Sequence, residues 1–212
     1  MTPRTVRESI AGPAGRIECA IDRPPGAPLG LAVVCHPHPQ GGGTLDNKVA
    51  QTIARACIDV GWASVRFNFR GVGASEGTWD DGRGEVDDAL AVIAEWRARE
   101  EFAASPLVLG GFSFGAWVAV EAASRLADDA KPRRIVLVGP STEKQAMRGV
   151  PADTVVVHGE NDELVPLAAT LAWARPQQLP VIVFPGVGHF FHGHIALLKR
   201  VLVRELGDLA GV

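Results

Sequence analysis

The chain lacks several features, and each absence narrows what it can do. It has only three cysteines, Cys19, Cys35 and Cys57, an odd number with no metal-ligand spacing. They make neither a disulfide framework nor a zinc site, so reduced thiols are expected. It has no long basic run, and 21 Lys+Arg stand against 24 Asp+Glu for a formal charge of -3. Nucleic acid is therefore not expected as a partner, because phosphate recognition needs a clustered basic face. No apolar run is long enough to span a bilayer. The opening residues, Met1-Thr2-Pro3-Arg4-Thr5-Val6-Arg7-Glu8, lack the apolar core of a secretory signal. A cytoplasmic protein is the expectation.

What is present is ordinary globular material. The chain has 212 residues, 47% hydrophobic and 21% charged, enough for one core, and a single domain over 1–212 is expected. Short apolar runs at 6–10, 16–21, 31–35, 63–69, 106–110, 134–138, 154–157 and 181–184 read as strands. Between them lie helical patterns. Val49, Ile53, Ala56, Cys57 and Val60 mark one face; Val86, Ala89, Leu90, Ile93 and Trp96 mark another. Residues 116–123 are rich in alanine, residues 167–174 form a short helix, and Ile195, Leu198, Val201 and Leu202 mark the last. Strands that are apolar throughout, alternating with helices, predict a mostly parallel sheet of about 7–8 strands covered on both faces. In such α/β sheets, ligands bind beyond the carboxyl ends of the strands.

The residues at those ends are the candidates. Gly111-Phe112-Ser113-Phe114-Gly115 fits G-x-S-x-G and lies between a strand and a helix, which would set Ser113 on a sharp strained turn. Serine needs a base to take its proton. His189, in a glycine-flanked loop after the last strand, is the candidate base, and Asp162, after another strand, the candidate to orient it. Glu160 or Glu163 are alternative acids; the spacing to Val165-Pro166 favours Asp162, with Glu160 in reserve. The order Ser, Asp, His along the chain belongs to one fold type. The six histidines do not impose the geometry of a metal site, so no metal is expected.

With these motifs the chain resembles the α/β-hydrolases over nearly its whole length. Gly111 to Gly115 matches the nucleophile elbow, His158-Gly159-x-x-Asp162-x-x-Val165-Pro166 the acid segment, and Gly188-His189 the histidine segment. Asn68-x-Arg70-Gly71-x-Gly73-x-Ser75 resembles the loop after the fourth strand. His36-Pro37-His38-Pro39, Gly42-Gly43-Thr44 and Asn47-Lys48-Val49 resemble a group of small lidless bacterial hydrolases, carboxylesterase-like or dienelactone-hydrolase-like.

The resemblance implies a serine hydrolase that needs no cofactor and acts on a small-molecule ester. Thioesterase, peptidase and a non-catalytic scaffold of the same fold are the alternatives. It implies an oxyanion hole made by the N–H of Phe114 and of His38. Relatives often have His-Gly-x here; Pro37 replaces the glycine and has no N–H to give. Residues 140–153 are too few for a lid domain, so an open cleft is expected. His36, Trp79, Phe112 and Phe190 are expected to line it, with at least one phenylalanine of each flanking pair packed in the core instead.

Overall fold

The computed structural model describes residues 5–210. Met1 to Arg4, half of the opening stretch read above, lie outside the described residues. The elements run β1 (Val6–Gly12), β2 (Gly15–Asp22), β3 (Leu31–Cys35), α1 (Lys48–Asp59), β4 (Ala63–Phe67), α2 (Arg83–Arg97), β5 (Leu107–Phe112) and α3 (Phe114–Arg125). They continue with β6 (Arg134–Val138), β7 (Val155–Gly159), α4 (Leu167–Ala174), β8 (Ile182–Phe184) and α5 (Ile195–Glu205). Eight strands form one sheet in the order β1-β2-β4-β3-β5-β6-β7-β8. The β1–β2 hairpin and the β2–β4 pair are antiparallel, and every other pair is parallel. The expected fold class is the one observed.

Alternation along the strands sorts the core into two layers. Leu31, Val33 and Cys35 join Val86, Ile93, Trp96, Val118 and Ala122 of α2 and α3 on one face. Ala32 and Val34 join Ile53, Cys57, Leu198 and Leu202 of α1 and α5 on the other. Trp62, Trp96, Phe67, Phe69 and Phe102 are among the largest fully buried side chains, each worth roughly 1.5–3 kcal/mol of burial. The three cysteines are free and buried in these layers. Burial pushes the thiols of Cys19 and Cys57 up to about 12 and raises that of Cys35 as well.

Polar side chains fix where the elements stop. Asn47 begins α1 by accepting from the N–H groups of Val49 and Ala50. β4 ends at Phe67, two residues short of the sequence expectation. Beyond it Phe69 gives its N–H to His36 Nε2 (3.1 Å), and Asn68 turns its side chain to Leu45 and Glu18 (2.8 and 2.7 Å). The glycine-rich loop that follows is pinned: Ser75 Oγ donates to the Asn68 carbonyl at 2.7 Å, and Arg70 grips buried Asp88 with two nitrogens. Between β6 and β7, residues 139–154 hold no helix, so no lid covers this edge of the sheet.

Candidate active site

β5 runs through Phe112 and delivers Ser113 at its carboxyl end, directly before α3. Ser113 has φ 57° and ψ -120°, a region that non-glycine residues avoid at a cost of about 1–3 kcal/mol. The flanking glycines make this turn possible. A Cβ on Gly111 would strike the Gly115 carbonyl, and one on Gly115 would strike the carbonyls of Cys35 and His36. The close approach of α3 to the end of β3 brings two loops together. The N–H of Phe114, in the first turn of α3, is one of the orphan donors of a helix start. Neither it nor the N–H of His38 has an acceptor among the described residues. The His38 carbonyl, by contrast, holds its loop by accepting from Gly41 and Gly43, both at 3.0 Å.

The loops after β7 and β8 meet just as closely. A Cβ on Gly159 would strike the Val187 carbonyl. Asp162 Oδ1 accepts from the N–H of Leu164 and Val165 at 2.9 and 2.8 Å, and Oδ2 lies 2.6 Å from His189 Nδ1. Burial works against the Asp162 charge, but the hydrogen bonds from His189, Val165 and Leu164 outweigh it and hold the carboxyl below its ordinary range. An ionised carboxylate only accepts, so Nδ1 of His189 carries a proton, and in the neutral ring that leaves the lone pair on Nε2. The alternative acids act on backbone instead: Glu160 accepts from the Gly186 N–H at 2.7 Å, and Glu163 from the His189 N–H at 3.1 Å.

His189 lies over the ends of β5 and β6. Its ring centroid is 4.8 Å from that of Phe112, and a Cβ on Gly139 would sit 3.4 Å from its Cε1. Ser113 is at the same place, its N–H held by the Val138 carbonyl at 3.0 Å. No hydrogen bond joins Ser113 Oγ to His189, a contact that commonly tightens only with substrate in place.

Two expected lining residues do not reach the cleft. His36 is fully buried and both ring nitrogens are engaged: Nδ1 with the Pro37 carbonyl at 2.6 Å, Nε2 with the Phe69 N–H. Burial drives its pKa down to about 4, so the ring is a neutral tie between β3 and β4. Phe112 is also fully buried and forms the floor beneath His189. Phe190 is 38% exposed beside His189, while its neighbour Phe191 enters the core. Trp79 is half-buried and packs at a tilt against His38 and Phe114, with centroids at 4.6 and 5.3 Å.

The sequence places His158 in the acid segment but gives its side chain no role. It is fully buried, with Nε2 2.8 Å from the Val165 carbonyl and 3.4 Å from Asp162 Oδ2, and Nδ1 3.2 Å from the Thr170 hydroxyl. Among the described residues no group of three or more His, Cys, Asp or Glu could hold a metal ion, and no helix is long and apolar enough to cross a membrane.

A family model for the alpha/beta hydrolase fold matches residues 33–153. The chain belongs to the alpha/beta hydrolase family. A solved alpha/beta serine hydrolase homologue from Coxiella burnetii is 37% identical to this hydrolase, with a TM-score of 0.85 over 95% of this chain and 97% of that one. A serine hydrolase without lid from Xanthomonas campestris is 33% identical, with a TM-score of 0.91 over 100% and 98% of the two chains. Among curated sequences, the uncharacterized protein RP471 of Rickettsia prowazekii is 45% identical over 116 residues, 54% of this chain. The match spans about half of that relative, 48% of its length.

Proposed function

We propose that this alpha/beta hydrolase is a carboxylesterase, acting on small or medium carboxylic esters through a covalent acyl-enzyme. One observation supports this above the others. A serine held in strained backbone stands at the end of β5, where His189 also lies, and that histidine is held at 2.6 Å by the buried carboxylate of Asp162. In this reading Ser113 Oγ attacks the ester carbonyl and His189 Nε2 takes the hydroxyl proton. Asp162 holds the ring tautomer and faces the positive imidazolium as it forms. The carbonyl oxygen becomes an oxyanion between the N–H groups of Phe114 and His38. His189 then returns the proton to the departing alcohol. Water, deprotonated by the same nitrogen, releases the acid and regenerates Ser113.

Trp79 and Phe190 would form apolar walls of an open cleft, with the polar His38 ring packed against Trp79, which suits esters without strict demands on chain length. The three buried thiols fit a reducing compartment, and we place the protein in the cytoplasm. The test is labelling with a fluorophosphonate followed by intact mass. One adduct on the native chain and none on Ser113→Ala is expected; no adduct, or equal adducts on both, defeats the proposal. Rates on matched esters, thioesters and aminoacyl amides then rank the bond type, with esters expected fastest.

A further inference from the structure

The two N–H groups of the oxyanion assignment belong to residues whose rings touch. The His38 and Phe114 centroids lie 5.1 Å apart, and Trp79 closes a triangle at 4.6 Å from the first and 5.3 Å from the second. The three rings come from three segments: the loop after β3, the first residue of α3, and the loop before α2.

The two donors are not held equally. Phe114 is 1% exposed, begins α3, and packs against Phe69 and Trp117, so the core fixes it whatever Trp79 does. His38 is half-buried on a loop. Its carbonyl is tied to the N–H groups of Gly41 and Gly43, and its ring is restrained by packing on Phe114 and Trp79.

Trp79 is itself firmly placed. Its Nε1 donates to Asp81 Oδ1 at 3.0 Å, and Asp81 takes φ 50°. Glu85, fully buried in the first turn of α2, accepts from the N–H groups of Asp80 and Gly82 at 3.1 and 2.8 Å. A Cβ on Gly82 would strike the Trp117 ring, so this loop is pressed against α3. Burying a carboxylate and holding Asp81 at positive φ both cost stability, and together they fix where the Trp79 ring stands.

We propose that Trp79 is a positioning residue for the oxyanion hole. It presses His38 against Phe114 and so sets the separation of their backbone N–H groups, while Glu85 anchors its loop. A donor displaced by about 1 Å can cost on the order of 10²-fold in rate. This role rests on the esterase reading, which assigns those two N–H groups.

The test compares Trp79→Ala and Trp79→Phe with the native chain in ester hydrolysis. It adds inhibition by a trifluoromethyl ketone, whose adduct with serine carries the oxyanion. Trp79→Ala should lower kcat about tenfold with KM little changed, and weaken the ketone by a similar factor. Trp79→Phe keeps an aromatic ring and should restore most of both. In a His38→Ala background, Trp79→Ala should add little, because the ring it acts on is gone. A tryptophan that only walls the cleft would raise KM at unchanged kcat and cost the same factor in either background; that result overturns the proposal. Trp79→Leu keeps apolar bulk without the ring and carries the same comparisons if Trp79→Ala fails to fold. Fluorophosphonate labelling separates the two readings. No adduct on the native chain defeats the esterase reading and this role with it. A labelled native chain beside a Trp79→Ala variant of native kcat defeats the positioning role alone.

Discussion

Asp162 offers His189 a single carboxylate oxygen at 2.6 Å, because its other oxygen is taken by the N–H groups of Leu164 and Val165. That division of labour fixes what Asp162→Asn does. The amide oxygen stays on the two backbone donors, so the NH₂ must face His189 Nδ1. The ring then accepts at Nδ1 and carries its proton on Nε2, where it cannot take one from serine. Turnover should fall roughly 10⁴-fold with little loss of stability. Ester hydrolysis rates beside a urea melt check both halves.

The oxyanion assignment at His38 rests on backbone, and backbone can be tested directly. His38 has φ -49°, close to what proline requires. His38→Pro keeps the chain path and removes the N–H, so the hydrolysis rate should drop by about 10²–10³. His38→Ala keeps the N–H and should lose much less. Equal losses in the two variants would show that the ring, not the amide, matters.

Strain at Ser113 predicts an order of stabilities. Glycine adopts φ 57° and ψ -120° freely, whereas alanine has the same Cβ conflict as serine. Ser113→Gly should be about 1 kcal/mol more stable than Ser113→Ala after the entropy of the added glycine is counted. Both should be inactive. Thermal melts of the two variants decide it.

Buried His36 predicts an acid-sensitive window. Its pKa is depressed to about 4 in the fold, while the unfolded chain takes up the proton near 6.5. Above 6.5 both states are neutral and the fold is fully supported. As pH falls from about 6.5 to 4 the unfolded state binds the proton first, so stability declines, by up to roughly 3 kcal/mol from this group. Below about 4 the loss stops growing. Urea melts at pH 7 and pH 4.5 should show the decline, and His36→Gln should flatten it.

The fold was legible because its strands are apolar throughout. Val33 and Val34, facing opposite layers, both need burial, and only a sheet covered on both faces supplies it. Ser113, Asp162 and His189 stood out because each follows such a strand. The rest of the site depends on contacts that sequence does not order. His36 and Phe112 sit beside pattern residues, yet the backbone direction turns both inward. His158 reads as part of a motif, but its link to Thr170 is set by how α4 packs on β7. Arg7, Asp22 and Arg66 come from separate strands that pairing gathers, and Asp46 reaches them from the loop before α1.

The three free cysteines have a practical consequence. None touches solvent appreciably, and burial holds every thiol protonated. A thiol reagent can therefore act only when the layers part, Cys19 and Cys35 reporting one face of the sheet and Cys57 the other. The protein thus contains its own clock for opening. Labelling rates at the three positions would time the loosening of each layer without any added probe.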